Sequence, residues 1–149
     1  MRTSDDPSWL AYPNTILEFD TPTPFMIDLR QPLSFRAREH LRANNLESGF
    51  AVITAYNPRG RRQSNVDNSQ LAGQLEAQVR QRGLRVVHVA GVSPDDTHRE
   101  SGVAVKITRE NATALATQYH QSAFFWFDGE YFWVVPALVH AEPISLPSL

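Results

Sequence analysis

All ten prolines of this chain lie outside its segments of clear hydrophobic periodicity, at Pro7, Pro13, Pro22, Pro24, Pro32, Pro58, Pro94, Pro136, Pro143 and Pro147. Proline lacks a backbone donor and breaks helices and ladders, so these positions mark where elements end. The segments between them can then be read in order. Ile16–Asp20 and Phe25–Leu29 read as two short strands, after a short helix around Trp9, Leu10 and Tyr12. Leu33, Ala37 and Leu41 recur at helical spacing, with Ser34 as a cap and Asn44–Asn45 as a stop. Phe50–Tyr56 is almost continuously apolar, the pattern of a central strand covered on both faces.

The next helix starts at Ser64, with Asp67 as a weak capping-box partner. Its stripe is Leu71, Leu75 and Val79, and Gly83 closes it in left-handed geometry. Leu84–Ala90 is a strand, Gly91–Glu100 a polar loop and Gly102–Ile107 a further strand. Thr108 caps a helix that buries Ala112, Leu115, Ala116 and Tyr119. Ala123–Phe127 and Tyr131–Val135 form a hairpin, for which Asp128–Gly129 predicts a type I′ turn.

This order predicts an α+β fold with a ferredoxin-like split β-α-β core: βαββαβ plus an extra hairpin strand, arranged as a two-layer sandwich with N-terminal additions. One domain spans residues 1–149, with N-terminal strands and helix in 1–46, the core in 47–136 and a Pro-punctuated surface tail in 137–149. Apolar residues make up 42% and charged residues 20%, a globular balance, and the net charge of −2 excludes a uniformly basic nucleic-acid-binding surface. There is no cysteine, which removes disulfides, thiolate metal sites and cysteine nucleophiles and fits a cytoplasmic setting. Met1–Pro7 lacks a signal-peptide core. The most apolar stretch, Ala123–Val139, is interrupted by Asp128, Gly129 and Glu130 and cannot span a bilayer, so no membrane association is expected.

With two core strands running one way and two the other, polar residues gather at one edge of the sheet: Asn57, Gly91, His98–Ser101 and Gln121, with Asn65 and Asn68 at the nearby helix start. Thr54–Pro58, then Ser64 and Asn68, then Glu100–Ser101 and Gln121 resemble the bacterial domain-of-unknown-function family 3293 over roughly Ile16 to Val135. The resemblance implies a compact bacterial domain and brings no chemistry with it.

Each motif has a functional and a bland reading. Asn57 before Pro58 is an amide aimed at a ligand, or a residue bonded to its own turn. Arg59, Arg61 and Arg62 grip a phosphate at a helix start, or form a solvated cationic loop; no phosphate-loop spacing accompanies them. His98, Glu100 and His120 have metal-ligand chemistry but no paired-histidine spacing, so neither a metal nor a cofactor is assigned. Ser64, Ser93 and Ser101 sit in no nucleophile elbow, and Ser101, His98 and Glu100 cannot align as a triad from one strand. The hairpin aromatics, Phe124 to Trp133, read as core rather than as a base-stacking platform. The sequence therefore points to non-catalytic binding of an anionic ligand, a nucleic-acid segment or a protein partner by Asn57, Arg59, Arg61, Arg62, Ser64, Asn68, Glu100 and Gln121. The alternative is a small hydrolase using Glu100 and His98 as acid/base or metal ligands.

Overall fold

A computed structural model describes residues 1–148; Leu149, the end of the expected tail, lies outside them. One sheet has eight strands: β1 (Ile16–Asp20), β2 (Phe25–Asp28), β3 (Phe50–Thr54), β4 (Val87–Val92), β5 (Arg99–Val105), β6 (Ala123–Phe127), β7 (Phe132–Pro136) and β8 (Ile144–Leu146). Their order is β2-β1-β4-β5-β3-β6-β7-β8, and every pairing is antiparallel. Three helices accompany it: α1 (Phe35–Ala43), α2 (Asn65–Gln81) and α3 (Arg109–Gln118). Each begins at a hydroxyl cap: Ser34 accepts from the Ala37 N–H, Ser64 from Asp67 and Thr108 from Asn111, all at 3.1 Å.

Alternation along β3 explains the layering. Phe50 and Val52 point to one face, Ala51 and Ile53 to the other, and all four are buried. The first face gathers aromatics from both ends of the sheet, together with Ala37 and Leu41 of α1. The second packs under Leu75 and Val79 of α2 and Ala112, Leu115 and Ala116 of α3. Helices thus cover both faces.

The sheet curls around the first face into a half-barrel. Phe19 on β1 and Phe50 on β3 are three strand steps apart, which is roughly 14 Å across a flat sheet. Their ring centroids are 6.1 Å apart. Phe50 also meets Phe127 at 5.6 Å and Phe132 at 5.8 Å. Ile27 of edge strand β2 and Leu146 of edge strand β8 line the same small crevice.

This architecture overturns the expected ferredoxin-like two-layer sandwich. β1 and β2 are not additions outside the core: β1 pairs with β4, from Ile16 opposite Val92 to Asp20 opposite His88. α1 occupies the concave face, adding a layer on the side that a two-layer fold leaves open. Phenylalanines on five strands then reward curling over flat stacking.

Three local expectations also change. The expected polar loop shrinks, because β4 continues to Val92 and β5 begins at Arg99, which makes Glu100 a strand residue opposite Gly91. Asp95 Oδ1 closes the turn by accepting from the Thr97 N–H and from the Ser93 and Thr97 hydroxyls. The β6–β7 connection is a four-residue loop between Phe127 and Phe132, not a type I′ turn. Gly129 has φ of 101°, but Asp128 is not left-handed; its Oδ1 instead accepts the N–H groups of Glu130 and Tyr131. Finally, Ile144–Leu146 of the tail joins the sheet beside β7.

If the concave aromatic cluster holds the curl, Phe50→Ala should lower unfolding free energy by about 3–5 kcal/mol in urea titrations. A loss below about 1 kcal/mol would place the core elsewhere.

Candidate functional site

One end of the half-barrel is polar. β3 and β4 finish there, and β5 and β6 start there, because β5 runs antiparallel to both β3 and β4 and β6 antiparallel to β3. The directions of these four strands suffice for this convergence, whatever the layering. On β5, Val103 and Val105 pack toward α2 and α3, so Glu100, Gly102 and Ala104 belong to the concave face.

Asn57 organises this end. It follows β3, is buried, and has a left-handed backbone with φ of 48°, which asparagine tolerates better than most residues. Its Oδ1 accepts the Gln63 N–H at 2.9 Å and Asn68 Nδ2 at 3.0 Å. Its own N–H donates to Asn68 Oδ1 at 2.9 Å. The amide orientation is thereby fixed, and Nδ2 donates to Glu100 Oε1 at 2.8 Å. Gln121, also buried, donates to the Tyr56 carbonyl at 3.1 Å and the Tyr119 carbonyl at 3.2 Å.

Of the residues singled out from the sequence, Asn57, Asn68 and Glu100 form one hydrogen-bonded chain, and Gln121 braces the strand end beside it. Ser64 is committed to its cap. Arg59, Arg61 and Arg62 are exposed, and their side chains make no ion pair or hydrogen bond among the described residues. His98 joins Glu100, with Nε2 3.6 Å from Oε1. His120 instead uses its carbonyl, which accepts the Arg59 N–H at 2.7 Å. Among the described residues no three His, Asp or Glu side chains are grouped to hold a metal ion.

The segment before β1 brings Asp6, which the sequence reading passed over, and Tyr12, which it placed in a short helix and not at the site. It runs through a 3-10 turn at Thr3–Asp5 and a 3-10 helix at Trp9–Asn14. Tyr12 packs its ring on Phe125 at 5.8 Å. Asp6 is 4% exposed, and its Oδ1 accepts from the Ser8 N–H at 2.8 Å and the Ser8 hydroxyl at 2.6 Å. Its Oδ2 is buried without a partner. Asp6 lies against Gly60, whose φ is 74° and where any Cβ would collide with the carboxylate. Only the aromatic pair Trp9 and Tyr12 could have signalled that this segment docks.

The electrostatics follow from burial without a cationic partner. Burial pushes the Glu100 carboxyl above its ordinary range, and the Asp6 charge adds to the rise. The Asn57 amide and the His98 ring act the other way but do not offset it. Tyr12 is raised well beyond the usual phenol range by burial, then by Asp6 and Glu100, and so stays neutral. A cleft of about 510 Å³ opens over this centre, lined by Ser8, Tyr12, Thr15, Gly91, Ser93, His98, Glu100 and Phe125 among others. A smaller cavity of about 40 Å³ continues beneath Glu100 and Tyr12 between Leu17, Val52 and Phe125. A wider groove of about 900 Å³ crosses Glu18, Asp20, His88 and Arg99; Arg99 pairs with Glu18 at 2.9 Å and His88 with Glu76 at 2.6 Å, while Asp20 is exposed to solvent. The 510 Å³ cleft differs in that one of its carboxyls, Glu100, is largely withdrawn from water and paired with no Arg or Lys.

Part of this site lies in a stretch that is similar to a known sequence family. Residues 53–124 match the family described as "Protein of unknown function (DUF3293)". The match includes Asn57, Asn68, His98, Glu100 and Gln121 and excludes Asp6 and Tyr12. No curated protein and no solved structure matches the chain. Among the described residues, no helix is long and apolar enough to cross a membrane.

Removing the Asn68 amide strands the buried Asn57 N–H, so Asn68→Ala should cost about 1–3 kcal/mol in thermal or urea unfolding. A neutral effect would show that water replaces it without loss.

Because Glu100 is raised in the folded state, its favourable contribution is complete below the ordinary carboxylate range and fades as pH rises through the folded-state value. Glu100→Gln should therefore remove a decline in stability between acid and neutral pH. Parallel stability–pH curves for the two proteins would refute this.

Proposed function

We propose that the protein binds a small polar ligand in the cleft over Glu100, at the polar end of its half-barrel. The observation that carries this reading is a carboxyl group fixed by Asn57, buried on one side and lining a 510 Å³ opening on the other, with no Arg or Lys paired to it; Arg30, which also lines the cleft, is held by Asp28 at 2.8 Å. Such a group offers a strong acceptor, or a donor when protonated, between the aromatic walls Tyr12 and Phe125. It favours a ligand that brings a hydrogen-bond donor, such as an amine, amide or alcohol, over a bare anion. The reading thus moves away from the anionic ligand that the arginine turn evokes, since Arg59, Arg61 and Arg62 do not line the cleft. The cysteine-free composition supports a cytoplasmic setting.

One observation favours a second reading. Glu100 has a raised proton affinity and an imidazole 3.6 Å away, the pairing that general acid–base chemistry uses. Under that reading Glu100→Gln would abolish turnover of a bound compound while retaining its binding.

Amide-detected NMR against a library of small amines, amides, alcohols and phosphates tests the proposal. Hits should shift Gly91, Ser93, His98 and Glu100. Glu100→Ala should weaken them about tenfold or more, the value of a lost hydrogen bond to a charged group. Arg59→Ala, Arg61→Ala and Arg62→Ala combined should leave both binding and melting temperature near wild type. Hits confined to phosphates and lost in the triple arginine variant would overturn the cleft in favour of the arginine turn.

A further inference from the structure

The 510 Å³ cleft and the 40 Å³ cavity beneath it share four wall residues, Tyr12, Gly91, Glu100 and Phe125. Gly91 stands on β4 between Leu17 of β1 and Glu100 of β5, its register partners on either side. Val89, two residues earlier, is buried in the concave cluster with Leu17, so a side chain at position 91 would point to that same face. Glycine supplies none, and the row from Leu17 to Glu100 has a gap beside the carboxyl. Glu100 does not swing across to close it, because Asn57 Nδ2 holds its Oε1 at 2.8 Å.

Nothing in the backbone asks for this glycine. A Cβ at position 91 would meet only Thr15 Cγ2, at 3.5 Å, an ordinary contact, and Gly91 is not among the left-handed glycines. Gly102 on the neighbouring strand is different: a Cβ there would lie 2.6 Å from the Ile53 carbonyl oxygen. A glycine inside a strand forgoes packing and loses more chain entropy on folding, and it commonly marks a place where a ligand or another backbone comes close. At Gly91 no backbone does. What lies over it is the cleft.

The cavity behind the gap limits what can enter. Leu17, Val52, Val89, Ala123 and Phe125 make its wall mainly apolar. The Thr54 hydroxyl also reaches it but is engaged, donating to the Ser101 carbonyl at 2.7 Å and accepting the Tyr56 N–H at 3.0 Å. A water's share of liquid volume is about 30 Å³, so the cavity takes about one or two non-hydrogen atoms, and its wall favours carbon.

We infer that Gly91 sets the size of the ligand: the cleft takes a small molecule whose donor group rests on the Glu100 carboxyl and bears a short unbranched alkyl arm, which passes the gap at Gly91 into the inner cavity. This rests on the reading of the cleft as a ligand site and narrows it.

NMR titrations of the full chain with homologous pairs test it: methylamine and ethylamine, formamide and acetamide, methanol and ethanol, with tert-butylamine and tert-butanol as bulky controls. Where a pair binds, the longer member should bind about fourfold tighter, the worth of one buried methylene, and shift the Leu17, Val89 and Gly91 amides. The bulky controls should bind no tighter than methylamine or methanol. In Gly91→Ala the preference for the longer member should vanish, at a melting temperature equal to or above that of the wild type. Glu100→Ala should instead weaken both members of a pair alike. Binding at the cleft with no dependence on arm length would leave the ligand site standing and overturn the role of Gly91. A preference that survives Gly91→Ala, or tight binding of the bulky controls, would place the arm in the outer cleft and overturn it as well. So would a Gly91→Ala protein that melts well below the wild type, since the glycine would then serve packing. No shift at Gly91, Ser93, His98 or Glu100 with any of these compounds would remove the ligand site itself, and the role of Gly91 with it.

Discussion

Burial of β3 on both faces is the constraint from which the rest of this fold follows. Phe50 and Val52 need one apolar partner layer and Ala51 and Ile53 another, so neither face of the sheet can be left to water. Two helices supply one cover. The other is supplied by the sheet itself, which curls until aromatic side chains from β1, β3, β6 and β7 meet, with α1 closing the remaining gap. A curled sheet has two open ends, and the ends of its strands carry backbone groups that must find partners. At one of them the partners are buried side-chain amides. Asn57 and Asn68 replace a backbone ladder where β3 leaves the sheet, and Gln121 accepts the same task at the start of β6. The candidate site is therefore a product of how the sheet terminates.

What the sequence made legible were elements with strong local chemistry. The hydroxyl caps at Ser34, Ser64 and Thr108 and the left-handed Gly83 (φ 76°) are short-range events, and they form at those residues. The convergence of Asn57, Asn68 and Glu100 was legible for a different reason, since strand direction alone brings those ends together. Layering was not legible. Whether Ile16–Asp20 pairs with β4 or lies outside the core depends on contacts between residues about 70 positions apart, and alternation in a five-residue strand is the same either way. The β4–β5 boundary failed because His98–Glu100 is polar. Polarity there reflects the mouth of a barrel, not a loop, and Glu100 keeps its ladder partner Gly91. Asp6 left no signal at all: a single acid in an aperiodic segment looks like solvent-facing chain, and only the position of Gly60 shows that it is buried.

The choice of asparagine at position 57 illustrates how little freedom this centre has. An aspartate there could still accept from Gln63 and Asn68, but it would present a second lone pair to Glu100 in place of a donor. Glu100 would then face acids on two sides. An alanine would leave the Gln63 N–H and the Asn68 amide without an acceptor and would not readily adopt the left-handed backbone. Both roles of the residue, the backbone one and the electrostatic one, require a short side chain with a donor and an acceptor.

Conformational strain collects in the same place. Asn57, Arg59 and His120 are left-handed without being glycine, and the Arg59 N–H meets the His120 carbonyl at 2.7 Å. Each such residue costs of order 1 kcal/mol or more relative to an ordinary turn. Beside them lie an unpartnered carboxylate oxygen on Asp6 and a carboxyl at Glu100 whose burial opposes its charge. A sheet end selected only for stability would lose these features one by one, through glycine at 59 and a neutral residue at 6 or 100. These features coincide at the polar end of the half-barrel, the end at which Glu100 opens on the cleft. The aromatic core supplies the surplus that keeps such an end in place, and it lies on the same concave face, directly beneath Glu100 and Tyr12.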